Sequence, residues 1–115
     1  MYHMKVKEEF IVVSGSDIID EIEARAICRK LKDLLALRAD SNKLMLDVRE
    51  VNLEDSKFDI FIQSLSKFNI DKISIILPEL INKIKFRLWR RKYSQYVSIE
   101  QFLTFEEGKK WLKKE

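Results

Sequence analysis

The sequence is poor in the residues that shape loops and in those that most often carry out chemistry. Its 115 residues include two glycines, one proline, one cysteine and one histidine. Two glycines cannot build a Walker loop or a dinucleotide-binding fingerprint, so the nucleotide sites that depend on them are excluded. A single cysteine cannot form an internal disulfide and is compatible with a reducing compartment. Turns should be short and linkers absent.

Long hydrophobic runs are also missing. No apolar stretch reaches the ~18 residues that a membrane span needs, and the polar, charged residues 1–9 do not resemble a signal peptide. We therefore expect a cytoplasmic protein. Hydrophobic residues nevertheless make up 46% of the chain. That content is enough for a core without disulfides or metal, and we expect residues 1–115 to form one domain.

Positive charge is concentrated in one segment. The formal net charge is +3, yet six cations and no acid lie between Leu80 and Ile99. The rest of the chain therefore sums to about −3, and the basicity is local. These six residues are Lys83, Lys85, Arg87, Arg90, Arg91 and Lys92.

Hydrophobic periodicity predicts strands alternating with helices. We expect two strands within residues 2–14, and others at 43–48, 72–77 and 96–102. Helices are predicted from a capping loop at 14–17 to about Leu37, over 58–68, from Pro78, and after a capping box at 104–107. Ile18, Ile19 and Ile22 lie off the apolar stripe of the first helix, so that helix starts late or its first turn covers another surface. The order predicts an α/β fold with a mixed, mostly parallel sheet of four to five strands flanked by about four helices.

Residue types suited to catalysis are few and scattered. His3 has no nearby ligands in the sequence and is expected at a strand edge or a frayed end. Cys28 lies among apolar helix positions, as a buried structural thiol would. Acids do gather near the end of the third strand, where α/β proteins bind ligands, but loop solvation and helix capping explain them more simply than a divalent cation. We expect no enzymatic activity, no cofactor and no metal. These acids are Asp47, Glu50, Glu54, Asp55 and Asp59.

Two short segments resemble a known family. Residues 44–51, LMLDVREV, followed by Asp55-Ser56 and a helix, resemble the STAS domain of anti-sigma-factor antagonists, in which a buried strand ending in Asp leads to an Asp-Ser-Ser/Thr-Gly turn. Residues 101–112, QFLTFEEGKKWL, are similar to the closing strand and helix of SpoIIAA-like proteins. The resemblance implies a STAS-like (SpoIIAA-like) fold and a role in regulatory binding, or in carrying a lipid-like ligand.

The resemblance also makes Ser56 a candidate phosphorylation switch. In the antagonists, the serine directly after Asp is phosphorylated by a partner kinase, and the added charge blocks docking. Here Lys57 and Phe58 stand in place of the small residue and the glycine of that turn. A helix-capping serine is the simpler interpretation of the same position.

The basic segment predicts a second contact surface. On a helix beginning near Pro78, Phe86 and Trp89 fall on the outward half between cations. They can anchor a protein interface with another protein or a second copy of the chain, lie on an anionic membrane, or stack on single-stranded nucleic acid, which is the least favoured partner. They can also simply pack under neighbouring segments. The candidate contact residues are Lys83, Phe86, Arg87, Trp89, Arg90 and Arg91.

The sequence therefore predicts a non-catalytic regulatory or interaction module that binds a protein partner. Two alternatives remain open. One is a carrier or sensor of a lipid-like small ligand, and the other is peripheral membrane binding through the basic aromatic helix of residues 86–92. Surface shape and charge, rather than a reaction centre, carry the function in all three interpretations.

Overall fold

A five-stranded sheet with helices on both faces forms the protein. The computed structural model describes residues 2–7, 9–37, 42–52, 58–65, 67–68, 70–77, 87, 91 and 98–114, and only the backbone of residues 58 and 59. The elements with defined bounds, in chain order, are β1 (Tyr2–Val6), β2 (Ile11–Asp17), α1 (Glu21–Ala36), β3 (Lys43–Val51), α2 (Phe58–Leu65), β4 (Lys72–Ile76), β5 (Ser98–Phe102) and α3 (Phe105–Lys113).

The strands lie in the sheet in chain order, β1-β2-β3-β4-β5. β1 pairs antiparallel with β2, and the other three pairings are parallel. The predicted mixed, mostly parallel sheet is therefore confirmed, with five strands. Arg87 and Arg91 also have helical backbone. The rest of the fourth helix predicted from Pro78 lies outside the described residues.

The main core lies between one face of the sheet and the helices α1 and α2. Leu44, Leu46, Ile73 and Ile75 are inaccessible to solvent or nearly so, because alternate residues of β3 and β4 point to the same face. Leu31 of α1 is likewise fully buried. Fully burying one such aliphatic side chain contributes about 1.5–3 kcal/mol, so this layer dominates the stability of the domain.

A smaller second core lies on the opposite face, under α3. It contains Phe10, Val12, Met45, Ile76 and Leu112, with Phe102, Phe105 and Trp111 packed against it. The predicted capping box starts α3: the Thr104 hydroxyl oxygen accepts a hydrogen bond from the Glu107 backbone N–H at 3.2 Å. At the other end, the Lys72 ammonium donates to the Trp111 carbonyl at 3.2 Å and to the Lys114 carbonyl.

The start of α1 differs from the prediction. Residues 14–17 were expected to form a capping loop, but β2 continues through Asp17 and pairs with the end of β3. α1 begins at Glu21, where the Asp20 carboxylate accepts a hydrogen bond from the Glu23 N–H at 2.8 Å. Sheet pairing outweighed the turn preference of the Ser-Gly-Ser-Asp segment, and the off-stripe isoleucines lie at the late start of the helix.

Candidate functional site

Loops that follow the parallel strands meet at one edge of the sheet, which we call the carboxyl edge. Asp17 ends β2 and Val51 ends β3, and the two residues are paired. Beyond them, the Asn52 N–H donates to the Asp17 carbonyl at 2.7 Å. Asp17 has a positive φ of 59°, a conformation that aspartate tolerates better than most residues. The β2–α1 loop is therefore held against the end of β3.

Two isoleucines of this loop are exposed, and we call them the isoleucine pair. Ile18 is 49% exposed and Ile22 is 81% exposed. Ile19, which lies between them in the chain, is buried in the main core. Its burial anchors the loop, and Ile18 next to it therefore points outward. The Asp20 cap then sets the first turn of α1, which carries Ile22. Apolar side chains held at the surface by a fixed backbone mark a surface suited to contact.

Carboxylates flank the isoleucine pair in the chain and at the end of the neighbouring strand β3. Five of them lie in the last residues of β2 and β3 and the first turn of α1, namely Asp17, Asp20, Glu21, Glu23 and Glu50. Among the described residues of this edge, Arg25 offsets part of that charge by pairing with Glu21 at 2.8 Å. The carboxyl edge is thus apolar and acidic. It is complementary to a partner that presents an apolar side chain among cations.

Asp47 and Arg49 form an ion pair on β3. The Arg49 guanidinium donates two hydrogen bonds to the carboxylate, at 2.9 and 2.7 Å. Partial burial acts to raise the pKa of Asp47, but the hydrogen bonds and charge of Arg49 outweigh it, and the pKa lies below its usual value. The hydrogen bond from Arg49 to Asp47 in turn raises the pKa of the arginine. Asp47 is therefore ionised at neutral pH and paired with Arg49.

The histidine and the cysteine, the other residues suited to catalysis or metal binding, lie on different elements. His3 is exposed on β1, opposite Ser14, and Cys28 is buried in α1. Burial raises the pKa of the Cys28 thiol against the opposing effects of Ser64 and Arg25, which lowers the fraction of thiolate, the reactive form, at neutral pH. Within the described part of the chain, no group of three or more His, Cys, Asp or Glu side chains is placed to hold a metal ion.

One cavity lined by described residues lies at this edge, and it is small. An apolar cavity of about 30 Å³ lies beside the main core, lined by residues of β1, β2, β3, α1 and α2, including Tyr2, Ile27 and Phe61. That volume is close to the space of one water molecule, far below the volume of a lipid chain. In the described ranges, none of the helices has the length and apolarity needed to cross a bilayer.

The predicted contact residues fall mostly outside the described residues. Arg87 and Arg91 are described: both are helical and exposed, as an outward cationic stripe requires. Ser56, Lys83, Phe86, Trp89 and Arg90 lie outside the described ranges. The exposure of the isoleucine pair was not predicted, although its position off the apolar stripe of α1 was the available signal.

Comparison with solved structures identifies the fold. An uncharacterised protein of the DUF3478 family from Shewanella loihica, with a SpoIIAA-like fold, superposes with a TM-score of 0.70 at 12% identity, covering 97% of this chain and 92% of its own. An anti-sigma factor antagonist from Mycobacterium paratuberculosis gives 0.68 at 14% identity, covering 99% and 94%. The unphosphorylated form of the anti-sigma factor antagonist SpoIIAA gives 0.62 at 9% identity, covering 97% of each chain.

These similarities confirm the predicted fold, which is SpoIIAA-like (STAS-like) over nearly the whole chain. The identities are too low to carry more than the fold. No protein-family model and no curated protein sequence matches this chain. Two of the three structural neighbours are regulators named for antagonising an anti-sigma factor.

Proposed function

We propose that this protein is a non-catalytic interaction module whose carboxyl edge binds a protein partner. The isoleucine pair is the observation that carries the proposal. A surface isoleucine that is 81% exposed contributes little to folding, and here it stands on a capped helix turn beside a second exposed isoleucine. Two structural neighbours named as anti-sigma factor antagonists support a regulatory role for the fold.

The chemistry of the edge also defines the partner. The acidic rim favours a cationic surface, and the isoleucine pair favours an apolar anchor within it. We therefore expect a protein segment with one or two apolar side chains flanked by Lys or Arg. Burying Ile22 in such a contact would contribute about 1.5–3 kcal/mol, which is a tenfold to hundredfold effect on affinity.

Affinity purification from the source cell tests this proposal. The bait is the full chain, compared with an Ile18→Ser/Ile22→Ser double variant. Leu37→Ser is the matched control, because Leu37 is 83% exposed at the opposite end of α1. We expect a protein retained by the wild type and the control but not by the double variant. Equal retention by all three baits would exclude the isoleucine pair as the contact.

Ser56 belongs to the same proposal as a switch. It lies in the connection between Val51, which ends β3 at the carboxyl edge, and Phe58, which starts α2. SpoIIAA has been solved in a phosphorylated form, and it has a similar fold with a TM-score of 0.58. A phosphate on Ser56 adds bulk, and it adds charge that a contact would have to desolvate; the switch requires these costs to exceed the added attraction to a cationic partner. Partner retention should be lost with Ser56→Asp and kept with Ser56→Ala; equal retention by both would remove the switch.

The basic aromatic helix is proposed as a second contact surface. Arg87 and Arg91 are exposed one helical turn apart, which is compatible with a cationic stripe. A Phe86→Ala/Trp89→Ala bait should lose a partner that contacts this helix. Flotation with anionic liposomes tests the membrane alternative, and light scattering over a range of concentrations tests association with a second copy. This surface would be excluded if the Phe86→Ala/Trp89→Ala variant retained every partner, floated with liposomes as the wild type does, and had the same mass as the wild type in light scattering at every concentration.

A further inference from the structure

A basic groove lies at the opposite, amino edge of the sheet. It runs between the turn that joins β1 to β2 and the helix α3. The α3 residues that line it, Phe105, Lys109 and Lys113, are spaced four apart and form one stripe along about 12 Å of helix. Lys7, Glu9 and Phe10 line the other wall.

The groove has the size of a small charged group. Its volume is about 190 Å³, which corresponds to the space of about six water molecules. Phe10 is buried beneath it in the second core, and half-buried Phe105 leaves an apolar wall beside the lysines. The site is therefore large enough for one anionic group and the carbon to which it is attached.

Positive charge dominates the lining. Among the described residues that line the groove, three ammonium groups stand against one carboxylate, so their formal charges sum to +2. Glu9 approaches Lys113 at 3.9 Å, and both side chains are about half exposed. A long, solvated ion pair of this kind is weak and reorganises readily. The summed formal charge of these described lining residues is complementary to a dianion.

We propose that this groove binds a phosphate monoester. Such a group carries about −1.5 to −2 charges at neutral pH and three acceptor oxygens, which match the net charge and the donors of the lysine ammonium groups. The apolar wall at Phe105 contacts the ester carbon, which inorganic phosphate lacks. The ester can be a free metabolite or a phosphorylated side chain of a protein.

The groove is independent of the isoleucine pair. β2 separates the two sites: Phe10 precedes its first residue and Ile18 follows its last. Seven strand residues span about 20 Å, so one small ligand does not reach both sites. Phosphate binding can therefore succeed or fail without deciding the partner proposal.

Chemical-shift titration of the ¹⁵N-labelled full chain tests the proposal. The probes are inorganic phosphate, O-phosphoserine and serine. O-Phosphoserine should shift the amides of Lys7, Lys109 and Lys113 in a saturable way and bind more tightly than inorganic phosphate, and serine should have no effect. A peptide carrying one phosphoserine separates the sources: tighter binding than O-phosphoserine indicates a protein-borne phosphate, and equal binding indicates a free ester.

Matched lysine variants locate the site. Lys109→Gln and Lys113→Gln each remove one charge near the phosphate and should weaken O-phosphoserine binding at least about fivefold, which is the effect of two unit charges about 4 Å apart in water; the phosphate carries more than one charge. Lys110→Gln is the control, because Lys110 is exposed on the same helix and does not line the groove. Melting curves verify that each variant is folded.

Three results would overturn the proposal. They are the absence of saturable shifts, an equal loss of affinity in the Lys110→Gln control, and equally tight binding of the same peptide with Glu in place of phosphoserine. The last result would assign the groove to carboxylates instead of phosphate monoesters.

Discussion

Replacing Gly108 with alanine should destabilise the protein, because α3 packs closely on β4 at this residue. A Cβ at position 108 would lie 2.6 Å from Ile76 Cδ1, closer still to Ser74 Oγ, and 3.4 Å from Met45 Cε. Ser74 and Ile76 are fully buried, so neither has free space into which to move. Overpacking of this kind costs about 1–3 kcal/mol. Two atoms lie within 3.0 Å of the added Cβ, so we place the overpacking cost in the upper part of that range, at about 2–3 kcal/mol.

Helix propensity acts in the opposite direction. Alanine is favoured over glycine inside a helix by about 1 kcal/mol, so the net loss in the free energy of unfolding should be about 1–2 kcal/mol. Urea denaturation followed by circular dichroism measures it, and the melting temperature should fall by several degrees. A Gly108→Ala variant as stable as the wild type would refute the packing of α3 described above.

A double-mutant cycle identifies the cause of the loss. Ser74 Oγ is buried and has no hydrogen-bond partner among the described residues, so Ser74→Ala alone should cost little. In the Ser74→Ala background, Gly108→Ala should cost about 1 kcal/mol less than in the wild type, because the closest contact is gone. A residual cost remains from Ile76. Simple additivity of the two substitutions would contradict this explanation.

Two further predictions concern Asp47 and Cys28. Asp47→Asn should lower the free energy of unfolding by about 1 kcal/mol at pH 7. Folding lowers the pKa of Asp47, so the ionised carboxylate stabilises the folded state. This stabilisation is fully present above the unfolded-state pKa of about 4 and is lost as the pH falls through the folded-state pKa. Urea titrations at pH 7 and pH 3 should show a larger difference at pH 7 than at pH 3, with exposed Glu50→Gln as a control that changes less, and an equal loss at both values would exclude the ion pair as the cause. At pH 7, Cys28 should react with a thiol reagent far more slowly in the folded chain than in the chain unfolded by urea, because burial raises the pKa of its thiol. Equal rates for the folded and unfolded chains would show that the thiol is accessible.

The sheet and its core could be predicted because apolar residues recur there with the periods of strands and helices. The strand predicted at 43–48 is nearly continuous in apolar character, the strand at 72–76 is rich in isoleucine, and Thr104 to Glu107 is a local capping motif. The structure extends the first of these strands to Val51. The extension of β2 through Asp17 could not be predicted in this way. It depends on pairing with Val51, a residue 34 positions further along the chain.

The surface sites depend even more on tertiary structure. The basic groove combines Lys7 with Lys109 and Lys113, which only the packing of α3 on the sheet brings together. The exposure of Ile18 follows from the burial of Ile19. The segment 16–20, SDIID, has three polar and two apolar residues, and this pattern does not reveal which of the two isoleucines points outward. The Asp47–Arg49 ion pair is the feature of this surface that the sequence alone could best have predicted, because residues two apart on a strand share a face.

The dissociation constant of the partner retained by affinity purification is the most direct test of the interaction module. It should be measured by calorimetry for the wild type, Ile22→Ser and the Leu37→Ser control. We predict that Ile22→Ser weakens binding at least tenfold, because a buried isoleucine contact is worth about 1.5–3 kcal/mol, whereas Leu37→Ser leaves the affinity unchanged. Equal affinities for the wild type and Ile22→Ser would contradict the assignment of the carboxyl edge as the binding surface.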